Sequence, residues 1–201
     1  MKVLIGCEES GTITNAMRKR GVEAYSCDLQ PTRGNPDWHI QGDVLAAIVS
    51  SQWDLIILHP TCTAMTLAGN ATYGRGCPKH DARIDQVAWT LELWDLAKRH
   101  APRVALENPA SVIFPPLRGA GADVQFIQPH QFGHTEQKKT GFALHGLPRL
   151  EPTNDVYDEM MKLPKCKRER IFYMSPGQNR ARDRSKTFQG IADAIADQWT
   201  I

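Results

Sequence analysis

No stretch of the 201-residue chain approaches the roughly 20 consecutive apolar residues that a membrane-spanning helix needs, so no contact with a bilayer is expected. The apolar start, Met1 to Ile5, is too short for a secretory signal and runs into acidic Glu8 and Glu9. A cytoplasmic protein is the expectation. Cysteine is scarce. Cys7, Cys27, Cys62, Cys77 and Cys166 are odd in number and contain no C-x-x-C pair, which argues against a zinc site and against a disulfide framework. No metal site is expected. Internal repeats and interdomain linkers are also lacking, and the length suits one domain.

Apolar residues make up 41% of the chain, enough for a sizeable core. The net charge of +2 hides an asymmetry. Residues 137–186 hold 12 Lys and Arg against 6 Asp and Glu, leaving 12 against 16 in the remainder. A basic segment on a mildly acidic chain points to a polyanionic partner, with a solvated basic surface as the plain alternative.

Short apolar runs alternate with helical patterns. Lys2–Cys7, Val22–Cys27, His39–Asp43, Asp54–Leu58 and Arg103–Leu106 read as strands. Thr12–Arg20, Val44–Ser51 and Asp81–His100 read as helices, the last with an apolar stripe of Val87, Leu91, Trp94 and Leu96 or Ala97. Beyond Ser111 the pattern weakens. Ile127–Phe132, Thr140–Leu144 and Arg170–Met174 are strand candidates, Ser175–Ser185 a loop, and Thr187–Trp199 a final helix. Strands alternating with helices predict an α/β domain with a mainly parallel, twisted, Rossmann-like sheet and helices on both faces. Ligands bind such sheets beyond the carboxyl ends of the strands. Glu8, Asp28, Asp43, Cys62 and Glu107 all fall at or just past predicted strand ends, and five such residues at one edge read more economically as a site than as five separate turns or caps.

A lone cysteine is usually an inert small hydrophobe. Cys62, however, ends the turn His59-Pro60-Thr61-Cys62, and Glu107-Asn108-Pro109 follows the next strand. Neighbouring parallel strands would bring thiol and carboxyl group into one pocket, a pairing suited to nucleophilic catalysis. Trp89 and Trp94 read as helix-packing residues, and His130 and His134 as structural.

These motifs resemble the Pro-Cys and Glu-Asn-Val signatures of cytosine-C5 DNA methyltransferases. They most resemble small phage and prophage proteins of that kind, whose strand commonly ends in His-Pro-Pro-Cys-Thr. The segment CEESGTITNAMRKRGVEAYSCDL resembles the first cofactor loop, helix and second strand of the family, Gln41-Gly42-Asp43 its third motif, and RSKTFQGIADAIADQW its closing segment. Three departures stand out: C-E-E-S-G replaces the family's F-x-G-x-G, Thr61 replaces a second proline, and Gln137-Lys138-Lys139-Thr140 matches the family's Gln-Arg-x-Arg strand only in part.

The resemblance implies a S-adenosylmethionine-dependent methyltransferase domain over 1–201, with 111–185 a short basic recognition region and 186–201 a closing helix. It implies Cys62 as nucleophile toward C6 of the pyrimidine, protonated Glu107 as donor to N3, and Asn108 as the residue orienting one of the two loops. Around S-adenosyl-L-methionine it implies Cys7, Glu8, Ser10 and Gly11 at the methionine part, Asp28 at the ribose with Leu29 beside it, Asp43 at the adenine amino group, and Pro60. DNA, single- or double-stranded, is the implied substrate, with Lys138, Lys139, Lys165, Lys167, Arg168, Arg180, Arg182 and Arg184 as candidate phosphate contacts, in a bacterial or phage-infected cytosol. The short recognition region keeps two alternatives open: modification of a free pyrimidine nucleotide, or transfer of a group other than methyl. A non-catalytic nucleic-acid-binding paralogue is a third. The oligomeric state is left open.

Overall fold

The computed structural model describes residues 1–177 and 180–200. Its strands are β1 (Lys2–Gly6), β2 (Glu23–Asp28), β3 (His39–Gln41), β4 (Leu55–Leu58), β5 (Val104–Pro109), β6 (Asp123–Ile127) and β7 (Thr140–His145). They form one seven-stranded sheet in the order β3-β2-β1-β4-β5-β7-β6. Pairing is parallel from β3 through β5, and β7 enters antiparallel between β5 and β6. The helices are α1 (Thr12–Lys19), α2 (Val44–Val49), α3 (Asn70–Tyr73), α4 (His80–His100), α5 (Phe114–Gly119), α6 (Tyr157–Met161), α7 (Lys165–Arg168), α8 (Arg170–Tyr173), α9 (Arg180–Ser185) and α10 (Gln189–Gln198). The domain is thus a single α/β unit.

The central strands are apolar on both sides because both sides are covered, as parallel sheets require. Leu4, Ile56, Leu58, Val104 and Leu106 point to the cluster built with α2, α4 and α5. Val3, Ile5, Leu55, Ile57 and Ala105 point to the opposite cluster, which is closed by α1 and α10 through Ile13, Met17, Ile191, Ile195 and Trp199. Each such fully buried aliphatic side chain contributes about 1.5–3 kcal/mol of transfer free energy.

Several expectations are corrected. The strand forecast at Ile127–Phe132 lies instead at β6, and Pro129–Gln131 forms a 3-10 turn. Arg170–Tyr173 is helical, because the N–H groups of Phe172 and Tyr173 both reach back to the Glu169 carbonyl rather than to a strand. In the segment read as a loop, 180–185 is a helix, and residues 178 and 179 lie outside the described residues, as does residue 201 at the end of the closing segment. The buried residues of α4 are Arg83, Thr90, Leu93, Trp94 and Ala97, and Val87, Leu91 and Leu96 of the expected stripe pack partly buried against the same cluster. Within 111–185, β6 and β7 are hydrogen-bonded into the sheet beside β5.

The closing helix is seated by a glycine. A Cβ at Gly190 would lie 1.9 Å from the Phe132 carbonyl oxygen, and the Gly190 N–H donates to His134 Nε2 at 2.9 Å. Burial lowers the His134 pKa, consistent with a neutral ring that accepts this bond. No helix among the described residues is long and apolar enough to cross a membrane.

Candidate active site

β4 and β5 run parallel and adjacent, with Leu58 level with Leu106. Their carboxyl ends therefore release His59-Pro60-Thr61-Cys62 and Glu107-Asn108 side by side. Asn108 joins the two turns: its buried Nδ2 donates to the Pro60 carbonyl at 3.1 Å. Of the two options left by the sequence, Asn108 thus holds the turn that carries Cys62. The Cys62 carbonyl accepts from the N–H groups of Met65 (3.0 Å) and Thr66 (2.8 Å), which fixes the backbone after the thiol. Arg83 of α4, a residue the sequence reading passed over, ties the same loop down. Its guanidinium donates to the Ala64 carbonyl (2.6 Å), the Thr66 carbonyl (3.2 Å) and Asn70 Oδ1 (2.8 Å). A buried arginine saturated by carbonyls gave no sequence signal beyond its place in an amphipathic helix.

The Cys62 thiol is half-buried. Burial raises its pKa and the charge of Glu107 raises it further, while Lys138, a backbone N–H and Arg184 pull it down without reversing the shift. Burial also pushes the Glu107 carboxyl up, but the hydrogen bond and charge of His59, joined by Lys138, carry it below its ordinary value. His59 Nδ1 lies 3.1 Å from Glu107 Oε2. That direction favours the carboxylate before a substrate binds, whereas the family likeness implies the protonated form in the reaction. His59, named only as part of a motif, is its missing partner. Two buried polar atoms here, His59 Nε2 and Asn108 Oδ1, have no hydrogen-bond partner among the described residues. Buried polar groups are nearly always paired in folded proteins, so both are free to meet a ligand.

At the ends of β1, β2 and β3 a second set converges. The Cys7 thiol is pushed up to about 12 by burial, then by Asp28, Cys27 and Asp43, which places these groups in one another's field. Cys27 is pushed up to about 11 by burial and by the same two aspartates. Cys7 has φ 60°, the sole positive φ among the described non-glycine residues, a costly conformation for an L-residue that marks a constrained turn. Gly11 (φ 65°) opens α1 where a Cβ would meet Gly34 Cα at 3.0 Å. Ser10 shares a hydrogen bond with Thr12 at 3.0 Å.

Asp28 Oδ1 accepts from the Gln30 N–H at 2.9 Å, and Asp43 Oδ1 accepts from the Leu45 N–H at 2.9 Å. Each is thus a turn or helix cap with its second oxygen still available. Leu29, next to Asp28, is 73% exposed.

Glu8 departs from expectation. Its carboxylate is buried and turned into the amino end of α1, accepting from the N–H groups of Ile13 (2.6 Å) and Thr14 (3.3 Å) and from the Thr14 hydroxyl (2.6 Å). Burial raises its pKa against those donors and against His59. The carboxylate that faces outward from this loop is Glu9, paired with Arg33 and Arg182.

The eight basic residues have different partners. Lys138 and Arg184 act on the thiol. Lys139 lies over the Phe126 ring at 4.7 Å. Lys165 faces Glu169 at 3.9 Å, Arg180 donates to the Met174 carbonyl at 2.8 Å, Arg168 contacts the Met161 sulfur, and Arg182 binds Glu9. Lys167 is exposed. A cavity of about 450 Å³ lies along α1, bordered by Ser10, Asn15, Arg33, Trp38 and Gln189. It touches neither Cys62 nor Glu107, so the convergence of reactive groups, not cavity size, locates the site. Among the described residues no group of three His, Cys, Asp or Glu could hold a metal ion.

No protein-family model matches the chain, and no curated protein matches it. Solved structures do. A methyltransferase of Entamoeba histolytica, EhMeth, is similar with TM-score 0.51 and 11% identity, covering 77% of this chain and 57% of its own. The S. pombe methyltransferase Dnmt2 has TM-score 0.49 and 12% identity over 89% of this chain and 60% of its own. A proposed DNA modification methyltransferase encoded within an E. coli prophage has TM-score 0.48 and 12% identity over 82% of this chain and 56% of its own. The chain therefore spans less than two thirds of the length of each. At such identities the likeness is one of fold alone, and the fold is the one shared with EhMeth.

Proposed function

We propose that this chain is a S-adenosylmethionine-dependent methyltransferase that acts on C5 of cytosine in DNA through a covalent bond from Cys62. The observation that carries the reading is the pairing of adjacent strand ends: Cys62 on the β4 turn, Glu107 near enough to perturb it, and Asn108 bonded to the Pro60 carbonyl between them. C5 of a pyrimidine is too unreactive to take a methyl group directly. Attack by the Cys62 sulfur at C6, with a proton from Glu107 to N3, moves electron density onto C5. Loss of the C5 proton and departure of Cys62 restore the ring.

The residues at the β1–β3 ends fit the cofactor in chemistry. S-adenosylmethionine, when bound, supplies a methyl group on a positively charged sulfur. The free oxygens of Asp28 and Asp43 would accept from ribose hydroxyls and the adenine amino group, Leu29 would lie on the adenine face, and the main chain of Cys7, Ser10 and Gly11 would flank the methionine part with Pro60 across from it. Glu8 is left out of this set because its oxygens are spent on α1. Lys138 and Arg184 would meet the phosphates next to the target base, with Lys139 beside them. A target in duplex DNA would be flipped from its stack at a cost of a few kcal/mol.

Nucleoside mass spectrometry of DNA from cells expressing the chain tests the reading: 5-methylcytosine is expected with the native sequence and none with Cys62→Ala. A modified base of another mass, or a modified pool of free nucleotides with unmodified DNA, would replace the cytosine-in-DNA reading. Cys62→Ala with unchanged product would remove the nucleophile.

A further inference from the structure

Glu107 is where the proposed chemistry and the ground state disagree. The reaction asks it to give a proton to N3, yet His59 and Lys138 hold it as a carboxylate. An ionised carboxylate only accepts, so the nitrogen 3.1 Å away, His59 Nδ1, bears a proton. Both side chains are largely withdrawn from water, at 11% and 13% exposure. The charged groups around the ring come from several elements: Glu107 from β5, Glu8 from the turn after β1, which feels the ring's charge, and Lys138 ahead of β7, which acts on the same carboxylate. The backbone N–H of His59 donates to the Gly6 carbonyl at 2.9 Å, which fixes its main chain at the end of β1. Nε2 is buried without a partner among the described residues.

We propose that His59 is the proton reservoir of this pocket: as an imidazolium it keeps Glu107 ionised until a pyrimidine seats, and then passes its Nδ1 proton to Glu107. The proposal rests on the cytosine reading above. In the transfer the Nδ1–H bond breaks and an O–H bond forms on Oε2, leaving a neutral imidazole and a neutral carboxylic acid. The Cys62 thiol loses its proton to solvent, opposed less once the neighbouring charge is gone. As sulfur bonds to C6, the C5–C6 π pair moves into the ring and N3 takes the proton from Glu107. When Cys62 departs, N3 returns that proton to Glu107 and thence to His59, so the pair ends as it began. His59 acts through Glu107 and is a positioning residue.

The test is the rate of covalent adduct formation with a single-stranded oligonucleotide carrying 5-fluorocytosine, in the presence of S-adenosylmethionine. Mass spectrometry follows it from about pH 5.5 to about pH 9, across the range where a histidine titrates. His59→Asn keeps an N–H toward Glu107 but has no proton to give. It should be slowed about 100-fold near neutral pH, the size of a lost proton transfer, and recover toward acid, where solvent protonates Glu107 directly. In a Glu107→Gln background the same substitution should cost nothing more, since coupled residues are non-additive. A third measurement needs no variant at position 59: in the native protein the ¹⁵N-labelled His59 ring should lose its Nδ1 proton when the adduct forms, Glu107 having passed that proton on to N3. His59→Asn with the native pH profile, additive losses in the double variant, or a His59 ring that keeps its Nδ1 proton in the adduct would each overturn the reservoir and leave the cytosine reading standing. A native protein that forms no adduct and transfers no methyl overturns the cytosine reading, and the reservoir falls with it.

Discussion

Glu8 and Glu107 occupy similar places, at the carboxyl ends of β1 and β5, on either side of β4. Both are withdrawn from water, yet one pKa is raised and the other lowered. The partners decide. Glu8 is met by two backbone N–H groups and a hydroxyl, neutral donors that do not offset its desolvation. Glu107 is met by an imidazole and the field of a lysine. Burial alone does not mark a working carboxylate. A carboxylate held by partners that can themselves give up a proton is poised for chemistry, and one held by the start of a helix is poised for folding.

The largest effect expected from breaking this contrast is on turnover. Glu107→Gln should lower methyl transfer by about 100-fold or more while the fold persists, read as labelled methyl incorporated into DNA. Next, Glu8→Ala should leave the Ile13 and Thr14 N–H groups buried without an acceptor, costing about 1–3 kcal/mol in denaturant unfolding. The two residues should also part in their pH dependence. Glu107 is lowered in the fold, so its contribution is present above its unfolded value and is lost as pH falls through its folded value. Glu8 is raised, so its ionisation penalty is present above its folded value and is relieved as pH falls toward its unfolded value. Unfolding measured across a pH series should therefore lose part of its acid-side decline in Glu107→Gln, and part of its decline at higher pH in Glu8→Gln. The smallest effect belongs to the next glutamate along. Arg182→Ala, which strips one partner from Glu9, should change stability by about 0–1 kcal/mol, because Arg182 is 43% exposed and Arg33 keeps its own bridge.

The first half of the chain was legible because its signals are local. Apolar runs such as Leu55–Leu58, each ending in a polar or reactive residue, give both the parallel sheet and the edge where reactive residues gather. The order of Cys62 and Glu107 along successive strands then brings them together. Three things were not local. The direction in which Glu8 turns depends on α1 offering free N–H groups five and six residues on. The role of His59 depends on a side chain 48 residues away. The second half reads poorly because β7 must enter between β5 and β6, a pairing that no periodicity records. Short helices such as α8 and α9 are set by turns and ion pairs rather than by an amphipathic pattern, and Asp183 of α9 reaches Arg33 at 3.2 Å.

The packing of α10 on α1 has a consequence for how the chain comes into being. One side of the sheet is roofed by α1 and α10 together, with Trp199 edge-on to Phe142 at 5.6 Å. Until α10 has been made, Ile13, Met17 and Phe142 lack this cover, and the nascent chain carries an exposed apolar face. A chain released before Gln189 should emerge as a client for chaperones and proteases rather than as a smaller folded domain.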